Sequence, residues 1–422
     1  MPLTKRVAVI GGGWAGLAAG VEATQAGHAV TLFEMAPQLG GRAREVRVDD
    51  HVLDNGQHIL IGAYTETLRL MRTVGVDVSQ AFVRTPLRIT TPDGDGLHLR
   101  PGLPALAFAL AVWRHRGWSW SDRLALLRVA AGWSLRGFAC EASRTVADLS
   151  SALPASVRDE LIDPLCVAAL NTPADEASGA VFLRVLKDAL FAGPGSADLL
   201  LPRVSLSEAF PTPAARWLER MGATLRLAHR VEQLTRHADG WQVDAESFDQ
   251  IVLATPPLEA ARLTQDIAPA WSRQAASLRY EPIVTVYLHG TGVALPAPML
   301  ALRSDANCPA QFVFDRGQLG GPPGLLAFVI SGAQPWVDRG AEATIQATLK
   351  QAQSSGLHEP LTLVKLLTEK RATFRCTPGL TRPAMNVLPG LNAAGDYVAG
   401  PYPATLEGAV RSAVMAVRGG VA

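Results

Sequence analysis

Three glycines near the start of the chain, Gly11, Gly13 and Gly16, follow the spacing G-x-G-x-x-G, and Glu34 comes 18 residues after the last of them. Gly11 permits a tight turn, Gly13 lets the backbone approach a pyrophosphate, and Gly16 lets a helix pack closely on a strand. The carboxylate of Glu34 can accept hydrogen bonds from both hydroxyls of a ribose. These residue types in this order predict a dinucleotide site.

The same segment contains the elements that must position these residues. Val7–Ile10 is apolar and predicts a short buried strand, and an Ala- and Leu-rich helix is expected over Ala15–Ala26. Gly27 ends that helix, and Val30–Phe33 predicts a second strand leading to Glu34. The resulting βαβ unit points the N–H groups and the partial positive charge of the helix N-terminus at the phosphates. A glycine-rich turn in some other α/β protein is the alternative.

A second glycine pair lies in the run Leu39-Gly40-Gly41-Arg42, which begins shortly after Glu34. A nicotinamide-binding domain does not need this run, whereas flavoproteins of the glutathione-reductase-like type often carry it. Its glycines let the loop pass close to a diphosphate, and Arg42 adds a charged donor. The run therefore favours FAD over NAD, with an ordinary Gly-Gly turn as the alternative.

The C-terminal part supplies the elements that would hold a flavin ring. A predicted strand ends in Gly395-Asp396, and a helix is expected to begin near Thr405, with Gly408 in its first turn. In FAD enzymes the Asp after such a Gly holds a ribitol hydroxyl. The N-terminus of the following helix faces the ring edge at which reduced flavin is negative. Together with the N-terminal glycines, this pattern strengthens the prediction of FAD.

Two further segments would complete the cofactor site. The strand predicted at Ile251–Ala254 ends in Thr255, and a strand predicted at Val231–Leu234 places Val231 where the main chain commonly meets adenine. For both segments the alternative is an ordinary sheet that contacts no cofactor. Before them, a helix is expected over Glu208–Met221. The full set of expected cofactor contacts is Gly11, Gly13, Trp14, Ala15, Gly16, Glu34, Gly40, Gly41, Arg42, Gln57, His58, Val231, Thr255, Gly395, Asp396, Thr405, Gly408 and Ala409.

Length and composition exclude several classes of protein. With 422 residues, 48% of them hydrophobic and 18% charged, the chain can bury a large core in two or three domains and is not disordered. A net charge of +1 gives no excess of positive charge of the kind that usually marks a nucleic-acid-binding protein. Four cysteines without short spacing argue against a metal site and against disulfides, which favours the cytoplasm. No signal peptide or membrane span is expected.

The order of elements predicts an α/β protein with two interleaved domains. Residues 1–60, 200–270 and 375–422 are expected to form a glutathione-reductase-like FAD-binding domain of Rossmann type. Residues 61–199 and 271–374 are expected to form an α+β substrate domain. The flavin would lie between them, where such domains usually place ligands.

From end to end, the chain resembles the superfamily of flavin amine oxidases and phytoene desaturases. The run Leu53-Asp54-Asn55-Gly56-Gln57-His58, followed by Ile61-Gly62-Ala63-Tyr64, is similar to its squalene-associated branch, the hydroxysqualene dehydroxylases. Pro164-Leu165 and the run Ala169-Leu170-Asn171-Thr172-Pro173 add to this likeness. The resemblance implies that reduced FAD gives a hydride to an allylic C30 alcohol, hydroxysqualene, with release of water and formation of squalene.

The implied reaction needs a proton donor, because hydroxide is a poor leaving group. His58 is the first candidate and Asp54 the second, since relatives bring this loop past the flavin. Either side chain can instead bond the backbone within a tight loop. The resemblance also implies non-covalent FAD, because the C-terminal part lacks the Ser-Gly-Gly-Cys run that attaches FAD in some relatives, and Cys376 is not in that context.

Other functions fit the same cofactor motifs. An oxidative carotenoid or phytoene-type desaturase would use FAD in the opposite direction, and a flavin amine oxidase is a third enzyme class. A lipid- or nucleotide-binding partner without turnover is the alternative outside enzymes. The chain has no second G-x-G-x-x-G for a bound nicotinamide, so an external reductant is expected, and its identity is open.

Residues 100–140 predict contact with a membrane or a helical lid. They contain six Arg, one Asp and four of the nine Trp, namely Trp113, Trp118, Trp120 and Trp133. Apolar helix faces bordered by Trp and Arg suit a bilayer interface, and a squalene-like substrate barely dissolves in water. We expect a cytoplasmic protein, peripheral on the inner face of the membrane if this segment binds lipid. A lid with core tryptophans is the alternative.

Overall fold

The computed structural model describes residues 4–94 and 96–419. The strands within these residues are β1 (Arg6–Ile10), β2 (Ala29–Phe33), β3 (Glu45–Val48), β4 (His51–Asp54), β5 (Leu60–Ile61), β6 (Phe82–Thr85), β7 (Arg88–Thr90), β8 (Gly96–His98), β9 (Leu199–Pro202), β10 (Thr224–Arg226), β11 (Leu234–His237), β12 (Gly240–Val243), β13 (Glu246–Phe248), β14 (Gln250–Leu253), β15 (Tyr280–His289), β16 (Met299–Ala301), β17 (Phe312–Asp315), β18 (Leu325–Ile330), β19 (Thr362–Phe374), β20 (Asn386–Leu388) and β21 (Leu391–Ala393).

The helices lie mostly between these strands. They are α1 (Trp14–Gln25), α2 (Thr65–Thr73), α3 (Val78–Ala81), α4 (Pro104–Arg114), α5 (Trp120–Leu135), α6 (Val146–Ser150), α7 (Ala155–Val157), α8 (Asp163–Leu170), α9 (Gly179–Phe191), α10 (Leu206–Ala209), α11 (Pro211–Arg220), α12 (Pro257–Thr264), α13 (Pro269–Ala276), α14 (Gln334–Arg339), α15 (Ala341–Ser354) and α16 (Leu406–Arg418). A π-helical turn, Arg158–Ile162, joins α7 to α8. None of the helices in the described residues is long and apolar enough to cross a membrane.

A mostly parallel sheet brings together segments that are far apart in the chain. Its strand order is β10-β2-β1-β14-β21-β20, and only the edge pair β20–β21 is antiparallel. The central strand β1 is buried from Val7 to Ile10, as expected for a strand covered on both faces. Helices α1 and α16 contact each other and pack against this sheet. The sheet thereby joins the two ends of the described chain.

A second sheet is antiparallel, with the order β16-β17-β18-β15-β19. Its strands β15 and β19 are the longest in the described chain and run side by side from Tyr280–Phe374 to His289–Thr362. Helices α4 to α9 form a helical region between residues 104 and 191, and buried side chains of this region belong to the same hydrophobic cluster as Ile10 and Leu253 of the parallel sheet. The mixed α/β architecture with a parallel sheet confirms the predicted fold class, and the domain boundaries stay a prediction.

Two predicted elements are wrong in part. The helix expected over Glu208–Met221 is two helices, α10 and α11, which are separated at Phe210 because Pro211 begins the second one and disfavours a helical conformation in the preceding residue. The strand expected at Val231–Leu234 starts only at Leu234. The N–H groups of Glu232 and Gln233 donate to the Asp244 carboxylate rather than to a neighbouring strand, which leaves this segment outside the sheet.

A buried carboxylate links three helices and makes a test of the fold. Glu22 of α1 is 7% exposed and accepts hydrogen bonds from Arg69 of α2 at 2.8 Å and from Arg418 of α16 at 2.8 Å. We predict that Arg69→Gln lowers the free energy of unfolding by about 1–3 kcal/mol, because it leaves this carboxylate half paired. The measurement is urea unfolding.

The control is Arg6→Gln, which breaks a looser pair. Arg6 lies 3.9 Å from Glu246, and its side chain is 55% exposed. Its removal is expected to change the free energy of unfolding by less than about 0.5 kcal/mol. Equal losses in both variants would contradict a special role for the Glu22 cluster.

Candidate functional site

In the glycine-rich loop between β1 and α1, two of the glycine positions have no room for a side chain and a third does. A Cβ atom at Gly11, where φ is +108°, would lie 2.5 Å from the carbonyl oxygen of Ala254. One at Gly16 would lie 1.7 Å from the carbonyl oxygen of Gly11, so only glycine allows α1 to pack this closely. At Gly13, the nearest atom to such a Cβ is the Cα of Gly41, at 3.8 Å. The Gly13 side of the loop therefore has room for a ligand.

Helix α1 begins at this opening without a side-chain cap. Gly13 is the N-cap residue, and the first turn contains no acidic side chain. Trp14 and Ala15 are buried, and the indole of Trp14 donates to the carbonyl oxygen of Ala43 at 2.8 Å. The first N–H groups of a helix have no partner within it, and they lie at the positive end of the helix dipole. This end of α1 is suited to a diphosphate.

The second glycine pair packs directly on the first loop. The N–H of Gly40 donates to the carbonyl oxygen of Gly12 at 2.9 Å, and Gly13 and Gly40 form an isolated parallel β-bridge. A Cβ at Gly41 would lie 3.2 Å from the Cα of Gly13. The absence of side chains at these positions lets two backbone segments meet beside the N-terminus of α1.

Glu34 and Thr255 lie on either side of this loop. Glu34 accepts hydrogen bonds from the N–H groups of Gly12 at 2.6 Å and Ala36 at 2.7 Å, so it also fixes the loop itself. An ionised carboxylate can accept about four hydrogen bonds, which leaves capacity for ribose hydroxyls. The N atom of Thr255 would lie 3.1 Å from a Cβ at Gly11, and its buried hydroxyl has no partner among the described residues. A buried hydroxyl of this kind calls for a ligand or water.

Arg42 connects this loop to the opposite end of the chain. Its guanidinium donates to the Asp396 carboxylate at 2.6 Å and to the carbonyl oxygen of Ala372 in β19 at 2.6 Å. Burial works against the charge of Arg42, but the neighbouring Asp396 outweighs this and raises the pKa of the guanidinium. Gly395 is fixed by Ser412, whose hydroxyl bonds both its N–H and its carbonyl oxygen. The Gly-Asp motif is therefore held by both Arg42 and α16.

The first turn of α16 is capped and anchored. Thr405 is the N-cap residue, and its hydroxyl accepts the N–H of Gly408 at 3.0 Å. A Cβ at Gly408 would lie 3.1 Å from that hydroxyl, and Ala409 is 9% exposed. The buried Glu407 accepts bonds from the N–H and the hydroxyl of Thr67. Thr405 thus has a structural role, and its contact with a cofactor stays a prediction.

His58 lies in the loop between β4 and β5, which is tied to the Arg42 segment. Asn55 donates to the carbonyl oxygen of Arg42 at 3.2 Å and to the carboxylate of Glu369 at 2.9 Å. His58 Nδ1 lies 2.7 Å from the carbonyl oxygen of Gly56. Burial lowers the pKa of His58, the Gly56 bond raises it, and the charge of Arg42 lowers it further. The net lowering favours a neutral ring that donates from Nδ1 and leaves Nε2 as an acceptor.

Asp54, at the end of β4, is 4% exposed and contacts the start of α10. Its carboxylate accepts the N–H of Leu206 at 2.8 Å, and its carbonyl oxygen accepts the hydroxyl of Tyr287 at 3.0 Å. Burial raises the pKa of Asp54 to about 6, against the lowering effects of the Leu206 bond and the charge of Arg316. The raised pKa suits an acid, whereas the bond to Leu206 also gives the carboxylate a structural role.

Several polar groups near the predicted site have no partner among the described residues, and of their residues only Gln57 was among the predicted contacts. The hydroxyl of Thr285 in β15, the amide nitrogen of Gln57 and the hydroxyls of Tyr280 and Tyr397 are buried and unpaired among the described residues. A Cβ at Gly56 would lie 3.9 Å from both His58 and Thr285. The one sequence signal for Thr285 was a Thr in an otherwise apolar strand. Gln57 was a predicted contact, and its amide oxygen accepts from Arg316 at 3.3 Å.

Val231 is the predicted cofactor residue with the least support from its surroundings. It is 3% exposed and lies in the irregular segment before β11. Its carbonyl oxygen accepts a bond from Arg262 at 2.5 Å. The other predicted contacts lie on the glycine loops and the start of α1, just after β2, on the β4–β5 loop, just after β14, or around the Gly-Asp motif and the start of α16.

The comparisons with known proteins place the chain in a family. A model of the flavin-containing amine oxidoreductases matches residues 14–419. The chain belongs to this family. It is 27% identical to a protein of Sinorhizobium fredii and 29% identical to one of Rhodopseudomonas palustris, over 97% of this chain and of each relative. Both relatives are named hydroxysqualene dehydroxylase.

A solved structure has the same fold. The crystal structure of an oxidoreductase from Methanosarcina mazei matches with a TM-score of 0.73 and 18% identity, covering 98% of this chain and all of the other. The family membership makes this protein a flavin-dependent oxidoreductase. The open Gly13 side, the uncapped α1 and the unpaired hydroxyl of Thr255 are features that fit a dinucleotide form of flavin.

Gly13 and Gly132 make a matched test of the flavin site. A Cβ at Gly13 meets no atom closer than 3.8 Å, so Gly13→Ala is expected to fold. We predict at least a roughly tenfold weaker flavin affinity, because the methyl group would occupy the ligand side of the loop. Flavin titration of the apoprotein measures it. Gly132→Ala in α5 is expected to bind flavin like the wild type, and an unchanged affinity in both variants would contradict the assignment.

The raised pKa of Asp54 predicts a pH-dependent stability. Its folded-state pKa of about 6 lies above the ordinary 3.8, so ionisation disfavours the folded state. The free energy of unfolding then falls by about 2–3 kcal/mol as the pH rises from about 4 to about 6. In Asp54→Asn the amide oxygen can still accept the Leu206 N–H, and this component disappears. Urea unfolding at both pH values measures it, and identical pH dependence in the two proteins would contradict it.

Proposed function

We propose that the protein binds FAD without a covalent link and reduces hydroxysqualene to squalene. The observation that carries the proposal is the similarity to two proteins named hydroxysqualene dehydroxylase, which extends over 97% of this chain and of both relatives. A similarity over the whole length includes the substrate-binding part as well as the cofactor motifs. It therefore supports the same substrate class, an allylic isoprenoid alcohol.

FAD, rather than a smaller flavin, is supported by candidate residues for both halves of a dinucleotide. Glu34 and Thr255 are the candidates for the adenosine part, and Asp396 and the N-terminus of α16 are those for the ribitol and the ring. Non-covalent binding is supported by the state of Cys376. Its side chain is 3% exposed, and burial raises the pKa of its thiol to about 12. A protonated, enclosed thiol is a poor nucleophile.

The proposed reaction breaks the allylic C–O bond and forms a C–H bond at the same carbon. The hydroxyl group leaves with the bonding electron pair and needs one proton to become water. Reduced flavin, when bound, supplies the hydride and is left oxidised, and an external donor of two electrons must reduce it again. The residues around the site must therefore exclude water, place the alcohol and deliver the proton.

We propose His58 as the proton donor and keep Asp54 as the second candidate. In the cationic form of His58 both ring nitrogens donate, so Nε2 can give a proton to the hydroxyl while Nδ1 keeps its bond to Gly56. The unpaired hydroxyl of Thr285 and the His58 ring both lie 3.9 Å from a Cβ built at Gly56, so Thr285 is a second polar group on this side of the loop. Burial lowers the pKa of His58, which makes its cation a stronger acid than an ordinary imidazolium.

A membrane surface is the proposed source of the substrate. Seven large apolar side chains in and beside α4 and α5 are exposed by 41–89%: Leu103, Leu106, Leu110, Trp113, Trp120, Leu124 and Leu135. A C30 alcohol partitions into a bilayer, and an amphipathic helix pair can lie in its interface. The protein would then act at the inner face of the membrane. We also propose that residues 1–60, 200–270 and 375–422 form the FAD-binding domain and that residues 61–199 and 271–374 form the substrate domain.

A single anaerobic turnover tests the proposed function. The purified protein is loaded with FAD, reduced with dithionite and mixed with hydroxysqualene in detergent, and flavin absorbance and extracted lipid are followed together. We expect one squalene for each flavin that is reoxidised. A flavin that stays reduced beside unchanged alcohol would contradict the proposal. The oxidised protein would then be tested on phytoene-like chains and amines, which correspond to the alternative enzyme classes.

The pH dependence of this single turnover tests the proton donor. Because burial lowers the pKa of His58 and only the cation donates from Nε2, we expect the rate to fall as the pH rises above that lowered pKa. His58→Gln is expected to react at least about tenfold more slowly, and its rate should no longer fall with rising pH in this way. Asp54→Asn is expected to keep this pH dependence. If the pH dependence disappears in Asp54→Asn and persists in His58→Gln, Asp54 is the proton donor.

A further inference from the structure

A cavity of about 630 Å³ lies between the hairpin of β7 and β8 and helix α4, far along the chain from the cofactor motifs. Four arginines line it: Arg88, Arg100, Arg114 and Arg116. None of the four forms an ion pair with a carboxylate among the described residues, and no described acidic residue lines the cavity. Unpaired guanidinium groups gathered around one space are an arrangement suited to phosphate.

The described acidic residues nearest in sequence form no ion pair with this cluster, and Asp95 lies outside the described residues. Asp122 accepts the N–H of Ser119 at 3.2 Å and a hydrogen bond from the hydroxyl of Ser156, so its carboxylate is engaged at the start of α5. Asp93 is exposed in the β7–β8 turn. The segment from 100 to 140 has six Arg and one Asp, and its net charge is +5.

The cavity shares a wall with the exposed apolar side of α4. Leu103, Leu106, Leu110 and Trp113 follow each other at intervals of three or four residues, so they lie on one face of the helix. Leu110 belongs to this face and also lines the cavity. We call this face, together with Trp120 and Leu124 of α5, the apolar ridge. A molecule with an acyl chain on the ridge could place its phosphate in the cavity.

Aromatic and basic side chains lie at the end of the apolar ridge, as in protein segments that bind at the interface between a bilayer and water. Trp113 and Trp120 contact each other with their ring centroids 4.7 Å apart, and the guanidinium of Arg123 lies 4.6 Å from the Trp120 ring. Arg123 also donates to the carbonyl oxygen of Trp113 at 3.0 Å, which fixes the start of α5 against the end of α4. Tryptophan and arginine in this position favour the headgroup level of a bilayer.

We propose that the arginine cavity binds the phosphate of an anionic phospholipid while the apolar ridge enters the bilayer. The occupant is a lipid rather than free phosphate, because the cavity opens beside exposed leucine and tryptophan side chains that a soluble anion would leave in water. The proposal deepens the membrane contact included in the proposed function. It requires no catalytic turnover, so it can be tested whether or not hydroxysqualene is the substrate.

The test is flotation of the flavin-loaded protein with vesicles of two compositions. One set is phosphatidylcholine alone, and in the other about a third of the lipid is phosphatidylglycerol. Each arginine near an anionic surface contributes about 1 kcal/mol, which corresponds to a roughly fivefold change in partitioning. We expect the double variant Arg114→Gln, Arg116→Gln to lose roughly 25-fold in binding to the anionic vesicles and little in binding to the neutral ones.

Two matched double variants show whether the cavity itself is responsible. Arg128→Gln with Arg136→Gln removes the same charge from exposed positions on and just after α5, and Arg236→Gln with Arg273→Gln removes it from β11 and α13. The 128/136 pair lies outside the cavity and is expected to reduce anionic binding clearly less than the 114/116 pair, and the distant 236/273 pair is expected to reduce it by less than about threefold. Equal losses in the 114/116 and 128/136 pairs would overturn the cavity assignment, since a diffuse charge would then explain the binding.

Two further measurements address the ridge and the source of the phosphate. Leu103→Gln with Leu106→Gln is expected to weaken binding to both kinds of vesicle, and thermal unfolding checks that the variants fold. Glycerol phosphate without vesicles is expected to leave tryptophan fluorescence unchanged at concentrations where vesicles shift it. A shift with glycerol phosphate alone, abolished in the 114/116 variant, would replace the lipid by a soluble phosphate ligand. Equal binding of the wild type to both vesicle types would contradict the proposal.

Discussion

One guanidinium group connects the distant segments that form the candidate flavin site. Arg42 follows the second glycine pair, and it bonds the Asp396 carboxylate, which lies 354 residues away. The same side chain donates to the carbonyl oxygens of Arg371 and Ala372 in β19. It therefore joins the N-terminal loops, the C-terminal Gly-Asp motif and the antiparallel sheet. The pair is partly enclosed, with side-chain exposures of 35% for Arg42 and 10% for Asp396, so its attraction is less screened than at a surface.

Close backbone contacts build the rest of the candidate site. Gly11 and Gly16 bring α1 onto the end of β1, and Gly40 brings the second loop onto Gly12. Asn55 bonds the carbonyl oxygen of Arg42, and this connects the His58 loop to the same point. The predicted cofactor loops and the loop of the proposed proton donor are therefore connected through Asn55 and Arg42.

The local part of this arrangement could be predicted from the sequence, and the long-range part could not. The strand, turn and helix around Gly11–Gly16 follow from residues that are adjacent in the chain, and so do the strand and helix around Asp396. The bonds of Arg42 to β19 and of Asn55 to Glu369 join segments more than 300 residues apart, and no local pattern encodes them. The same limit applies to the direction of Asp54, which is decided by the N–H of Leu206.

Two errors in the predicted elements have a common cause. Helical or strand-like composition suggested continuous elements at 208–221 and 231–234. At Phe210 the following Pro211 imposed a break, and at Glu232 and Gln233 the carboxylate of Asp244 replaced a strand partner. In both places a single side chain decided where the element begins. Composition averaged over a window does not detect such a side chain.

A double-mutant cycle on flavin affinity tests most directly whether Arg42 and Asp396 form one flavin-binding unit. The apparent Kd for FAD is measured for the wild type, Arg42→Gln, Asp396→Asn and the double variant. Because the two side chains position each other, we expect each single variant to weaken binding and the double variant to be little weaker than either. The coupling should be at least about 1.4 kcal/mol, a factor of ten in Kd. Effects that simply add would show that the two residues act independently and would contradict the account.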